Sequence, residues 1–260
     1  MFDFHEKRVL ITGAGARNGI GFASANLLAS LGAVVYVTST TERIHERVAE
    51  LSAQGYSAFG SIVDLTDEAA AKEVASQAIS AMGGLDILVN NAGMTSVHSK
   101  LTVERESGGI DTMDVDGFQS SLLRNVTSAF SLTKSVIPEI RRSSQGRIIM
   151  MASVTGPLMA MRHQVAYATS KAAMVGMVRA LALDEAAGGV TVNAIAPGWI
   201  ATDSQTEDEA RQGAESPMRR SARADEIASA VAWLASSGAS YITGQTIVID
   251  GGNSIAEERV

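Results

Sequence analysis

Arg8-Val9-Leu10-Ile11-Thr12-Gly13-Ala14-Gly15-Ala16-Arg17-Asn18-Gly19-Ile20-Gly21 is the stretch that decides the fold. It opens as an apolar run of strand length, passes through a glycine-rich turn and enters the Ala- and Leu-rich pattern of a helix over 20–31. Glycines in such a turn let the backbone bend tightly and approach a pyrophosphate, which then lies at a helix N-terminus. A glycine-rich turn without a ligand is the competing account. A strand before and a helix after is the arrangement that favours binding, with Gly13, Gly19, Ile20 and Gly21 as the contacting positions.

Outward from this turn, short apolar runs alternate with helical patterns to the end of the chain. The runs at 8–12, 34–38, 57–63, 85–90, 147–151, 191–194 and 246–249 read as strands. The segments at 20–31, 41–54, 67–82, 114–142, 165–187 and 223–237 read as helices. Strand and helix alternating at this spacing imply right-handed βαβ units and a parallel sheet covered on both faces. No linker, repeat or low-complexity tract interrupts them, so residues 1–260 read as one α/β domain. Pro138 falls late in the fourth helical segment, where a kink or an early end is tolerable. The stretches 94–113 and 199–222 lack a clear period. Both follow strands, which places them at the carboxyl edge of the sheet, where open α/β folds bind ligands.

Composition narrows the function classes. The 260 residues are 46% hydrophobic and only 5% aromatic, as suits an aliphatic core around a buried parallel sheet. A net charge of −7 argues against nucleic acid or an anionic membrane surface as the main partner. No apolar run approaches the roughly 20 residues that span a bilayer, and the charged start lacks a signal-peptide core, so the cytoplasm is the expected compartment. Absence of cysteine removes disulfides, thiolate catalysis and Cys-ligated metal, and no metal is implied elsewhere.

The second strand bears on which nucleotide the turn would hold. A free ribose 2′-hydroxyl is usually gripped by a carboxylate at that strand's end. Here the end reads Thr38-Ser39-Thr40-Thr41-Glu42-Arg43. Hydroxyls from Ser39 and Thr40 and the guanidinium of Arg43 suit a 2′-phosphate that a carboxylate would repel. Arg17 is a second candidate clamp. This favours NADPH over NAD, although Glu42 would serve NAD if the strand ended later. Asp64, beside Leu65, is placed to accept from an adenine amino group or to cap the next helix. Asn91, Ala92 and Gly93 either let backbone pass close to the cofactor or form a plain turn.

Chemistry is signalled by Tyr167-Ala168-Thr169-Ser170-Lys171, with Ser153 fourteen positions before the tyrosine. Residues four apart share a helix face, so phenol and ammonium point into one space. A nearby positive charge lowers a phenol's pKa from near 10 and makes it a usable acid or base. A hydroxyl from a neighbouring strand would hold a carbonyl oxygen against the phenol. Together the three groups form a proton-transfer device for a C=O/CH–OH pair.

In this order, the Thr12-Gly13 turn, Asn91-Ala92-Gly93, Asn125, Ser153, Tyr167 with Lys171, Pro197-Gly198, Gly244 and Asp250-Gly251-Gly252 resemble the classical short-chain dehydrogenase/reductase family along essentially the whole chain. The resemblance implies a doubly wound (Rossmann) seven-stranded sheet and a homotetramer. It implies Tyr167 as acid/base, Lys171 on the nicotinamide ribose, Ser153 on the carbonyl and Asn125 anchoring a relay water. Pro197 and Gly198 would lead to Ile200 and Thr202, which would hold the carboxamide.

Three departures stand out. Five residues separate Gly13 from Gly19, a spacing similar to divergent enoyl-carrier-protein reductases, whose tyrosine stands seven before the lysine. That position here is Gln164, which disfavours enoyl chemistry. The interval from Gly93 to Asn125 is long, so 94–113 is expected to form an entrance flap, with 199–222 as a substrate loop. The Ser153-to-Tyr167 turn, carrying Met159, Met161, Arg162 and His163, is also longer by one. The nearest branch by pattern is the 3-oxoacyl-carrier-protein reductases. However, the positions of their carrier-docking arginines align with Ser131 and Gly188. The expectation is an NADPH-dependent carbonyl reductase acting on a small-molecule ketone or secondary alcohol. The alternatives are a 3-oxoacyl-carrier-protein reductase and a non-catalytic NADP-binding regulator.

Overall fold

The computed structural model describes residues 2–93 and 108–257. Seven parallel strands form one sheet: β1 (Arg8–Ile11), β2 (Val34–Ser39), β3 (Ala58–Ile62), β4 (Ile87–Asn90), β5 (Arg147–Met151), β6 (Thr191–Pro197) and a last strand (Thr246–Ile249). From one edge the order is β3, β2, β1, β4, β5, β6 and then that last strand. The chain winds outward from β1 in one direction and from β4 in the other, so the crossovers diverge between these two strands. A crevice opens there at the carboxyl ends of the strands. The doubly wound α/β sheet expected from the sequence is the one observed.

Alternation of side chains across each strand builds two cores. Val9, Ile11, Ile87, Val89, Ile149 and Met151 point to one face, and Leu10, Leu88, Ile148 and Met150 to the other. Both sets are buried, which explains why these strands read as continuous apolar runs. The first face is covered by α1 (Ile20–Ser30), α2 (Arg43–Ala53) and a late helix (Ala224–Ala235). The second is covered by α3 (Glu68–Met82) and two long helices described next.

The helical segment expected over 114–142 is observed without a gap over 115–140 but is not α-helical throughout. It is α4 (Val115–Leu122), a π-helical turn (Leu123–Thr127) and α5 (Ser128–Ile140). Pro138 sits in the last turn of α5, which ends two residues later. The tyrosine lies near the start of α6 (Val165–Glu185). The 199–222 stretch, read as irregular, contains structure of its own. Two short strands, β7 (Ile200–Ala201) and β8 (Ala222–Arg223), pair in parallel and enclose α7 (Glu207–Ala214). Helix α7 starts with a reciprocal cap: Glu209 N–H donates to the Thr206 hydroxyl, and Thr206 N–H donates to the Glu209 carboxylate. The late helix is then α8 and the last strand of the large sheet β9. Among the described residues, no helix is long and apolar enough to cross a membrane. Of the expected flap at 94–113, residues 94–107 lie outside the described residues. Gly108 joins the segment before α6, its N–H donating to His163 O at 2.9 Å.

Candidate active site

The loops after β1, β2, β4, β5 and β6 converge on a cavity of about 850 Å³. The glycine turn forms one end. Gly13 has φ of 69°, and a Cβ there would lie 2.9 Å from Ala92 Cα, so glycine lets the two loops touch. Thr12 clamps that contact, its Oγ1 accepting from Asn91 N–H at 3.0 Å and Ala92 N–H at 2.9 Å. The Asn91 amide donates back to Thr12 O and Gly13 O at 3.0 and 3.1 Å. Asn91 thus fastens the end of β4 to the turn. Gly13, Gly19 and Ile20 line the cavity, whereas Gly21 packs beneath it against Asn91.

Beyond the turn, Ser39, Thr40 and Arg43 line the cavity at the end of β2. The Ser39 hydroxyl donates to Thr41 O at 2.8 Å, and Arg43 Nε donates to the Thr41 hydroxyl at 3.2 Å. Glu42 sits at the N-cap of α2, and its carboxylate lies 3.4 Å from the His45 imidazole. Arg17 takes a different position from the one expected: it is outside the lining, with its Nε 3.7 Å from the Glu50 carboxylate on α2. The long turn points it outward along that helix. Asp64 and Leu65 line the floor, and the Asp64 carboxylate accepts from the Thr66 N–H and hydroxyl. The cap of α3 is Asp67, not Asp64.

At the other end, Ser153 follows β5 while Tyr167 and Lys171 project from α6 into the same cavity. Ser153 is buried, and its Oγ accepts from Thr155 N–H at 3.1 Å. Lys171 is 2% exposed and donates from Nζ to Met151 O at 2.9 Å. Burial pulls its pKa down to about 8. Its Nζ stands 5.7 Å from the Tyr167 ring centroid.

The expected lowering of the phenol is not what this arrangement produces. Burial pushes Tyr167 up; the Ser153 hydroxyl opposes this and the Glu209 charge adds to it. The ammonium lies against the ring and is occupied by a backbone carbonyl, so desolvation dominates. With its pKa held above the ordinary phenol value, Tyr167 keeps its proton at neutral pH.

Asn125 is fully buried in the π-turn and donates from Nδ2 to Ser121 O at 3.0 Å. Its Oδ1 has no hydrogen-bond partner among the described residues, and a Cβ added at Gly93 would lie 2.9 Å from that oxygen. Pro197, Gly198, Ile200 and Thr202 line the wall after β6. Helix α7 adds Glu209 and Gln212 to the lining, and Glu215 follows from the residue after it. Reading 199–222 as a loop missed these three, although the Thr206…Glu209 spacing was a capping signal.

The donor set suits a dinucleotide: glycine backbone at one end, hydroxyls and a guanidinium beside it, and a buried ammonium with Thr202 at the other. The family model that matches residues 13–254 is described as enoyl-(acyl carrier protein) reductase. Among characterised proteins, the 3-oxoacyl-[acyl-carrier-protein] reductase FabG of Escherichia coli K12 is 37% identical, over 96% of this chain and 98% of that one. The oxidoreductase UcpA of Salmonella typhimurium is 36% identical, over 96% and 95%. Among solved structures, a dehydrogenase/reductase from Sinorhizobium meliloti 1021 superposes with a TM-score of 0.88 at 30% identity, covering 98% of this chain and 97% of that one. A variant short-chain dehydrogenase/reductase of Serratia marcescens gives 0.87 at 31% identity, covering 96% and 99%. The likeness spans the cleft and the sheet alike, and the chain belongs to the short-chain dehydrogenase/reductase family of oxidoreductases.

Proposed function

We propose that this protein is an NADPH-dependent carbonyl reductase, working equally as a secondary-alcohol dehydrogenase in reverse. One observation carries the reading. The protonated phenol of Tyr167, the Ser153 hydroxyl and the Lys171 ammonium face one cavity whose far end is the glycine turn. A nicotinamide nucleotide held along the glycine turn, Lys171 and Thr202 would supply the hydride for the carbonyl carbon. Ser153 donates a hydrogen bond to the substrate oxygen and polarises it. Tyr167 then transfers its hydroxyl proton to that oxygen as negative charge develops there. Lys171, anchored by Met151 O, holds the ribose hydroxyls and stabilises the phenolate left behind. Asn125 turns its unpartnered oxygen to a water that returns a proton towards Lys171. Ser39, Thr40 and Arg43 take the 2′-phosphate, with Asp64 and Leu65 against the adenine and Ile200 and Thr202 at the carboxamide.

The enoyl description of the family model suits this chain less well. Gln164, not tyrosine, stands seven before Lys171 and lines the cavity. Reduction of a carrier-bound 3-oxoacyl group, as the name of the FabG relative suggests, is the second reading. The acidic start of α7 (Glu207, Asp208 and Glu209) and the net charge of −7 oppose docking of an acidic carrier. A free ketone of medium size, entering beside the 199–222 segment, fits better. A one-domain chain in the cytoplasm, assembled as a homotetramer, completes the proposal.

Tyr167→Phe is the deciding experiment. It removes the proton donor and is expected to lower kcat roughly 10³-fold while leaving cofactor affinity within a few-fold. Turnover of a ketone panel at the native rate would exclude this mechanism, and turnover by neither form would favour the non-catalytic regulator.

A further inference from the structure

Asn18 and Asp203 meet across the mouth of the cleft, 185 residues apart in sequence. The Asp203 carboxylate accepts from Asn18 backbone N–H at 3.1 Å on one oxygen, and from the Asn18 side-chain amide at 2.7 Å on the other. The backbone bond fixes the glycine turn itself, not only a side chain. Asn18 occupies the lengthened part of that turn, just before Gly19. Asp203 directly follows Thr202. The cavity wall runs through Gly15, Ala16 and Gly19 on one side and Thr202, Asp203 and Ser204 on the other, so this contact bridges it.

A carboxylate is an unusual neighbour for a pyrophosphate, since like charges repel. Here both of its oxygens are engaged by Asn18 donors, and Arg43 and Arg47 lie near enough to stabilise its charge. The base of the 199–222 segment is held independently by the pairing of β7 with β8 and by Gln205 Nε2 donating to Ser221 Oγ at 2.7 Å. Asp203 lies between these two fastenings in sequence and adds a third, to the glycine turn.

We infer that Asn18 and Asp203 form a clasp that closes the cleft over the pyrophosphate portion of the bound dinucleotide. It positions Thr202 and sets how fast the cofactor leaves. The five-residue spacing from Gly13 to Gly19 then has a purpose: it lets Asn18 reach the far wall. The inference rests on a dinucleotide occupying this cleft and holds for either nicotinamide nucleotide.

The test measures release of NADPH and of NADH by stopped-flow fluorescence with an excess of unlabelled competitor nucleotide. Subjects are the full-length parent, Asn18→Ala, Asp203→Ala, Asp203→Asn and the double alanine variant. Each alanine variant is expected to release cofactor roughly 5- to 20-fold faster, from loss of charge-assisted hydrogen bonds. Asn18→Ala keeps the backbone N–H bond and should be the milder single, while Asp203→Ala removes both bonds, so the double variant should be no faster than Asp203→Ala. Asp203→Asn, which keeps one acceptor oxygen, should fall between. In the cofactor-free protein, amide exchange at 202–205 should rise in the same order. Release within twofold of the parent, or additive effects in the double variant, would overturn the clasp. Should an alanine variant fail to fold, Asp203→Asn decides alone. A parent that binds neither nucleotide overturns the cofactor site as well, whereas tight binding with unaltered release overturns the clasp only.

Discussion

Lys171 reaches from α6 to the end of β5, and its ammonium donates a hydrogen bond to the carbonyl of Met151 at 2.9 Å. The bond stitches the tyrosine helix to the strand that leads to Ser153. It also holds a charge in a desolvated place, which lowers the lysine to about 8. Between pH 8 and the ordinary lysine value the unfolded chain binds more protons than the folded one, so stability rises with pH there. Below pH 8 the whole cost is present. Lys171→Met should therefore unfold at higher denaturant than the parent at pH 7, by about 2 kcal/mol, and the gap should close by pH 10. Urea melts of the cofactor-free proteins at the two pH values check this. A methionine variant that is less stable at pH 7 would contradict it.

Ser39→Asp puts a carboxylate where the 2′-phosphate is proposed to lie. NADPH affinity should fall roughly 10- to 100-fold while NADH is retained or improved. Fluorescence titration with both nucleotides measures the ratio. An unchanged ratio would move the 2′-phosphate away from the end of β2.

Gly156 has φ of 103° in the turn after Ser153, and a Cβ on it would lie 2.1 Å from Ala168 O. That oxygen belongs to the helix turn that carries Tyr167. Gly156→Ala must push α6 away from Ser153, so we expect kcat to fall at least tenfold, with a loss of roughly 2 kcal/mol in stability. Parallel steady-state kinetics and thermal melts separate the two effects. Native kinetics would show that the turn yields instead of the helix.

Asp86 is buried and accepts from Arg8 N–H, from the Arg8 guanidinium and from the Ser143 hydroxyl. Burial alone would push its carboxyl up, but these bonds outweigh it and the net direction is down. Its contribution is full above the ordinary aspartate range and is lost as pH falls through the lowered value. Asp86→Asn should cost about 1–3 kcal/mol at pH 7 and proportionately less near pH 3. Equal destabilisation at both would show that charge is not the cause.

The sheet was legible because a strand buried on both faces has to be apolar throughout, as Val9-Leu10-Ile11 and Ile148-Ile149-Met150 are. Ser153, Tyr167 and Lys171 were legible because helix spacing and strand order place them before any contact is known. Three things were not. Arg17, the second candidate clamp, stands outside the lining with its Nε 3.7 Å from Glu50 on another helix, a pairing that no local pattern signals. The rise in the Tyr167 pKa depends on burial, which four-residue spacing does not encode. The clasp joins residues 185 apart through two ordinary polar side chains that carry no local pattern.

The π-turn at Leu123–Thr127 is in effect one residue more than an α-helix would accommodate. Removing a single residue there would regularise the helix and leave the residues beyond it close to their present faces, because the wider turn already absorbs the surplus. Ser128, Leu132 and Val136 would keep the core face of α5, whereas Asn125 would lose the wide turn that holds it. The position of Asn125 is thus written into the helix as a surplus. An alignment that treats this surplus as an ordinary helical residue would misplace the asparagine by a whole face.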